Sequence, residues 1–186
     1  MRFPFLNIFS LLFLINAGYP EVDFSPKQLF QEIKKISGNK NAFPLQIYDE
    51  KGLKTDTFLG RFYSFKNTNP IEFAYLGRVN TCRSGGCQAR ISELKTERAE
   101  FFDYFILFDS TTSILSVKIF NYEATHGQEI TVKGWLKQFN GFHGESELIV
   151  GKDIDAISGA TISVHSITND VVEKTGLLQK YLSQKK

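Results

Sequence analysis

Two hydrophobic periodicities succeed one another along this chain. Leu29, Phe30, Ile33 and Ile36 recur at helical spacing. Ahead of them Ser25 reads as an N-cap, Pro26 as the first helical position and Gln28 as the capping-box partner. Phe24 and Leu29 fit a hydrophobic staple, and Gly38 stops the helix. A helix with one apolar face of this kind covers a sheet. From Ala42 to about Lys118 the pattern shortens towards the strand period. Pro44–Tyr48, Thr57–Phe65, Glu72–Val79, Arg90–Lys95, Phe102–Asp109 and Ile114–Tyr122 are the predicted strands. Asp49–Gly52 and Asn67–Pro70 carry turn residues, and Ser110–Ser113 joins the last two strands as a hairpin. The helical period returns over Gln128–Phe139, with Trp135, Leu136 and Phe139. It returns again over Val164–Leu178, with Val164, Ile167, Val171 and Leu178 on one face and Gly176 near its end. Strands bracketed by helices predict an α+β domain, a mainly antiparallel twisted sheet flanked by N-terminal and C-terminal helices.

The first residues stand outside this pattern. Arg2 is followed by an apolar run from Phe5 to Ile15, broken by Asn7 and Ser10, and then by the small residues Ala17 and Gly18. That is the three-part layout of a secretory signal. The run is short for a membrane span, which needs about 20 residues. We therefore expect a signal peptide at 1–17 and a single domain over 18–186. The protein is expected to be exported to the periplasm or the cell surface, and soluble; an uncleaved leader would anchor it weakly.

Composition adds exclusions. The 186 residues carry 22 Lys+Arg against 20 Asp+Glu, a net charge of +2. There is no basic excess to neutralise many phosphates, so no nucleic-acid partner is expected. Two cysteines exclude a four-cysteine zinc site and a disulfide-dense scaffold. His126, His143 and His165 have no metal-ligand spacing, and no metal site is expected. No Ser/His/Asp arrangement or paired carboxylates suggest hydrolysis, and no GxGxxG fingerprint suggests nicotinamide binding.

The richest segment is Asp155, Ala156, Ile157, Ser158, Gly159, Ala160 and Thr161, just before the last predicted helix. Ser158 or Thr161 can cap that helix, and Gly159 and Ala160 allow close approach to the backbone. A helix N-terminus offers free N–H groups and positive potential, which suit a phosphate. A plain Ser/Thr-capped helix has the same composition.

Asp-x-x-Ser-Gly-Ala-Thr resembles the flavinylation motif of the FMN-binding domain family. That family includes the C subunit of the sodium-pumping NADH:quinone oxidoreductase and the G subunit of the Rnf complex. The resemblance extends over about residues 104–186. Phe105–Asp109 with Ile114–Ile119 resembles the family's central hairpin. Asn121–Gly127 resembles the segment that follows, with altered order and without a proline. Trp135–Gly141 resembles the Trp-x-x-Gln-Phe stretch. The resemblance implies covalent FMN, joined by a phosphoester to Thr161 and installed by a separate FAD:protein FMN transferase. Asp155, Ser158, Gly159 and Ala160 would complete the recognition motif. Glu123 and His126 would border the flavin, and Trp135, Phe139 and Phe142 are either ring-stacking candidates or core residues. Arg78 or Arg83 would contact the phosphate or the ring's dioxo edge. The implied activity is electron transfer between a membrane donor or cytochrome and an extracytoplasmic acceptor. The chain would be a carrier rather than a stand-alone enzyme.

Cys82 and Cys87 lie four residues apart around Gly85 and Gly86. A structural disulfide closing a small loop is one reading. A redox-active dithiol beside the flavin, its thiolates favoured by Arg78, Arg83 and Arg90, is a second. Free or metal-bound thiols are a third. Two alternative functions follow: a flavin-dependent thiol–disulfide oxidoreductase using this pair, and a non-covalent FMN-binding module.

Overall fold

The computed structural model describes residues 20–47, 59–81, 100–144 and 146–185. The leader, the Asp49–Gly52 turn, the Arg90–Lys95 strand, Arg83 and both cysteines lie outside these residues.

Five strands form one antiparallel meander in the order β1-β2-β3-β4-β5. They are Leu45–Gln46, Gly60–Ser64, Phe73–Asn80, Phe101–Phe108 and Ile114–Tyr122. Strand β4, paired with β3 on one side and β5 on the other, is buried along its whole length because both of its faces are covered. Phe102, Tyr104, Ile106 and Phe108 face one core, and Phe105 and Leu107 face the other. This is why FFDYFILF reads as an apolar run broken only by Asp103. The β4–β5 hairpin turns as expected: Asp109 Oδ1 accepts from the Thr111 N–H, the Thr111 hydroxyl and the Ser113 N–H.

Helix α1 spans Lys27–Ser37. Leu29 and Ile33 bury against Tyr63, Phe65, Ala74, Leu76, Phe105 and Leu107. Pro26, in extended conformation, is the cap residue, with no side-chain cap bond, so Ser25 lies one residue outside its expected role. Ser25 instead donates its N–H to Asp23 Oδ1. Gly38 ends the helix at φ 71°, as expected. Phe30 is exposed, so the buried stripe is narrower than predicted; Glu32 takes the place beside Ile33.

The opposite face carries α3, Thr161–Ser183, longer than the predicted helix at both ends. Val164, Ile167, Val171 and Leu178 are fully buried there. Thr168 and Thr175 join the same face by donating their hydroxyls to the Val164 and Val171 carbonyls at 2.7 Å. The predicted helix over Gln128–Phe139 is broken into a 3-10 turn Gln128–Thr131, a single α turn α2 at Lys133–Leu136 and a 3-10 turn Lys137–Phe139. Ile130, Trp135, Leu136 and Phe139 still point into the core, so the apolar spacing is satisfied without a continuous helix. Among the described residues, no helix is long and apolar enough to cross a membrane. The architecture is α+β: an antiparallel sheet with α1 on one face and α3 on the other.

Candidate functional site

The segment leading into α3 is held from beneath. Trp135 is buried, and its Nε1–H donates to the Asp155 carbonyl at 2.8 Å. Gln138 Oε1 accepts the Asp155 N–H, also at 2.8 Å. Trp135 packs edge-on against the fully buried Phe139. The Trp-x-x-Gln-Phe stretch is thus a clamp on the backbone at the start of the motif. Trp135 and Phe139 are core residues, one of the two roles the sequence left open for them, and Phe142 is half-buried against that core.

Beyond the clamp, Gly159 turns at φ 83°, which favours glycine. Ala160 is the N-cap residue of α3 and offers no side-chain cap. Neither Ser158 nor Thr161 caps the helix: Ser158 is exposed and Thr161 is already its first helical residue. The initial N–H groups of α3 therefore keep the positive potential that a capping oxygen would have quenched.

Two cavities meet at this helix start, and Thr161 and Ile162, both exposed, line both of them. The larger, about 550 Å³, is bounded by Val79 and Asn80 on β3 and by His165, Ser166, Asn169 and Asp170 on α3. The smaller, about 180 Å³, is bounded by Gly159–Ser163, Thr81, Glu100 and His126. The larger volume falls within the roughly 300–1,000 Å³ of small-molecule clefts.

The expected residues divide as follows. Thr161, Ala160, Gly159 and His126 line the cavities. Ser158 and Asp155 belong to the turn behind them, and Glu123 is exposed and borders neither. Arg78 borders the larger cleft but is not held as a surface arginine. Its guanidinium grips Asp103, its cross-strand partner, with Nε to Oδ1 at 2.6 Å and Nη2 to Oδ2 at 2.8 Å. It also stacks 3.6 Å above the Phe101 ring and donates to the Pro20 carbonyl. Strand alternation puts that side chain with Ala74 and Leu76, on the face that α1 covers. An arginine so engaged ties the N-terminal segment to the sheet.

Three groups escaped the sequence reading. Tyr104, fully buried, donates its hydroxyl to Asp170 Oδ2 at 2.6 Å, and Lys174 pairs with Asp170 Oδ1 at 3.2 Å. Burial pushes the Tyr104 hydroxyl well above its ordinary value, and the Asp170 charge adds to this. Burial likewise raises Asp170, against the pull of Lys174 and Tyr104. Lys174 is held above its ordinary value: burial lowers it, but the Asp170 and Glu173 carboxylates outweigh that. This network lies under the floor of the larger cleft. Second, Tyr122 Oη donates to the His126 carbonyl at 2.6 Å and lies 3.1 Å from Ser163 Oγ, joining the 122–127 segment to the first turn of α3. Gly127 is required there, at φ 87°, because a Cβ would lie 2.5 Å from Ser163 Oγ. Third, Thr81 borders the smaller cavity with a buried hydroxyl. None of these carries a motif; only the pairing of distant strands and helices brings them to the site. Among the described residues, no cluster of His, Cys, Asp or Glu could hold a metal ion.

A helix start without a side-chain cap, an exposed hydroxyl on it and an adjoining cleft thus lie together on an α+β scaffold. Residues 101–173 match the family model described as the FMN-binding domain. The match runs from β4 through most of α3 and points to a flavin-binding module in that segment. Among curated proteins, none matches the chain.

Proposed function

We propose that this chain is an exported electron-transfer flavoprotein with FMN joined through its phosphate to Thr161 Oγ1. The observation that carries this reading is the place of Thr161. It is an exposed threonine on the first turn of α3, at the wall shared by both cavities, inside the segment matched to the FMN-binding domain. The residues present fit the group. The N–H groups at the start of α3 attract phosphate charge. The larger cleft has room for a fused ring system beside the apolar Ile162 and Val79. The Trp135 and Gln138 bonds to Asp155 keep the motif backbone in place for a modifying enzyme to read.

When bound, FMN supplies reversible uptake of one or two electrons. The chain's own part is to tether, orient and expose. A phosphoester tether keeps the cofactor on an exported protein, where free flavin is scarce. An FAD:protein FMN transferase is the proposed modifying partner, and a membrane donor or cytochrome the proposed redox partner. Export rests on the layout of residues 1–17.

The test is retention of colour. The full chain, exported from cells that also produce the transferase, should keep a flavin absorption band through denaturation and gel filtration. After refolding, that band should bleach on chemical reduction and return in air. A protein colourless after denaturation overturns the covalent reading, and a colour that cannot be cycled overturns electron transfer.

A further inference from the structure

The family-matched segment begins at residue 101, yet two residues before it, Thr81 and Glu100, complete the smaller cavity. Thr81 is only 5% exposed. Its N–H continues the sheet by donating to the Glu100 carbonyl at 2.8 Å, but among the described residues its Oγ1 has no hydrogen-bond partner. A buried hydroxyl left unpartnered is costly and uncommon in native proteins. Lining the same cavity is the start of α3, a 23-residue helix whose N-cap residue provides no side-chain cap. Thr81, with its orphaned hydroxyl, and a helix N-terminus thus border one cavity of about 180 Å³. That volume lies below the roughly 300 Å³ at which small-molecule clefts begin. It suits a compact anion, to which both the hydroxyl and the helix N–H groups can donate.

We propose that Thr81 is the phosphate-positioning residue of this domain. Its hydroxyl, with the backbone N–H groups at the start of α3, seats a phosphate in the smaller cavity and thereby directs the flavin ring into the larger cleft. The inference rests on the FMN reading above and adds to it a residue outside the family-matched segment. Glu100 opposes an anion here. Its Oε1 accepts from the Thr125 hydroxyl and, at 3.2 Å, from the Thr125 N–H, and His126 Nδ1 lies 2.9 Å from that hydroxyl. The seat therefore depends on the donors of Thr81 and α3 outweighing one carboxylate. A consequence is discrimination in favour of a phosphorylated flavin.

The full chain, before any transferase treatment, is titrated with FMN and with riboflavin, following flavin fluorescence. Wild type should prefer FMN. Thr81→Val keeps the shape and removes the hydroxyl; it should weaken FMN about tenfold, the loss of one charge-assisted hydrogen bond, and leave riboflavin unchanged. Thr81→Ser should restore the preference. An unchanged FMN affinity in Thr81→Val, or an equal loss for both flavins, overturns the assignment. A second titration uses inorganic phosphate alone and follows the backbone amide signals of Ile162 and Ser163 by NMR. These should shift in wild type and require about tenfold more phosphate in Thr81→Val. No shift with phosphate overturns the seat even where flavin binds. A phosphate response without FMN uptake supports the seat and removes the FMN reading instead.

Discussion

Trp135 occupies a position where an aromatic next to a flavin motif can stack on a ring or fill the core. Its indole N–H fixes the Asp155 carbonyl while its ring fills the core against Phe139. Trp135→Phe should therefore lower stability by about 1–2 kcal/mol, through an unpaired carbonyl and a small void, as read from the urea midpoint. Two glycines offer a paired comparison. Gly127 and Gly159 both have positive φ, but a Cβ at Gly127 meets Ser163 Oγ at 2.5 Å, whereas at Gly159 nothing lies within 4 Å. Gly159→Ala should cost about 1 kcal/mol, the backbone term alone, and Gly127→Ala clearly more. Equal melting temperatures for the two variants would contradict the packing described around Ser163. The motif from Asp155 to Thr161 was legible because its residue types are constrained by close approach and by a helix start. Thr81 and Tyr122 were not: Thr81 matters through a missing bond and Tyr122 through its bonds to His126 and Ser163, and nothing in a local pattern announces either.

At the scale of elements, periodicity located strands well and helix ends poorly. Strands β2 to β5 fall where alternation and β-branched or aromatic runs place them, because a strand's faces are sorted by burial. The break-up of Gln128–Phe139 was hidden, since apolar residues three and four apart satisfy a 3-10 turn as readily as a helix when each points into the core. Buried polar groups were hidden for a related reason. Glu32 on α1 reads as a solvent residue, yet it is buried and pairs with Lys35 at 3.0 Å and Lys118 at 2.5 Å. Burial pushes its pKa up, but the hydrogen bonds and charges of Lys118 and Lys35 prevail and hold it below the ordinary 4.5. The unfolded chain therefore binds more protons than the folded chain just below that value. The stabilisation is fully present above it and is lost as pH falls through the folded pKa. Urea midpoints measured from neutral pH down to about pH 3 should fall more steeply for wild type than for Glu32→Gln. Parallel curves would show that the α1–β5 ion pairs carry no pH-dependent stability.

For the whole molecule, the sheet separates two duties. The face under α1 ties down the N-terminal segment through Arg78, Asp103 and Pro20, while the face under α3 supports the cleft. The fold class was legible in the order of helical and strand periods. The site's extent was not, because its smaller cavity draws on Thr81 and Glu100 from strand ends remote in sequence from Thr161. The proposed tether is a single covalent bond, and peptide mass spectrometry reads it directly. The full chain is exported from cells producing the transferase, digested, and its Thr161-containing peptide weighed. This peptide should gain the mass of one FMN less water, and Thr161→Ala should show no flavin adduct anywhere in the chain. An unmodified Thr161 peptide, or an adduct that survives in Thr161→Ala, would contradict the tether.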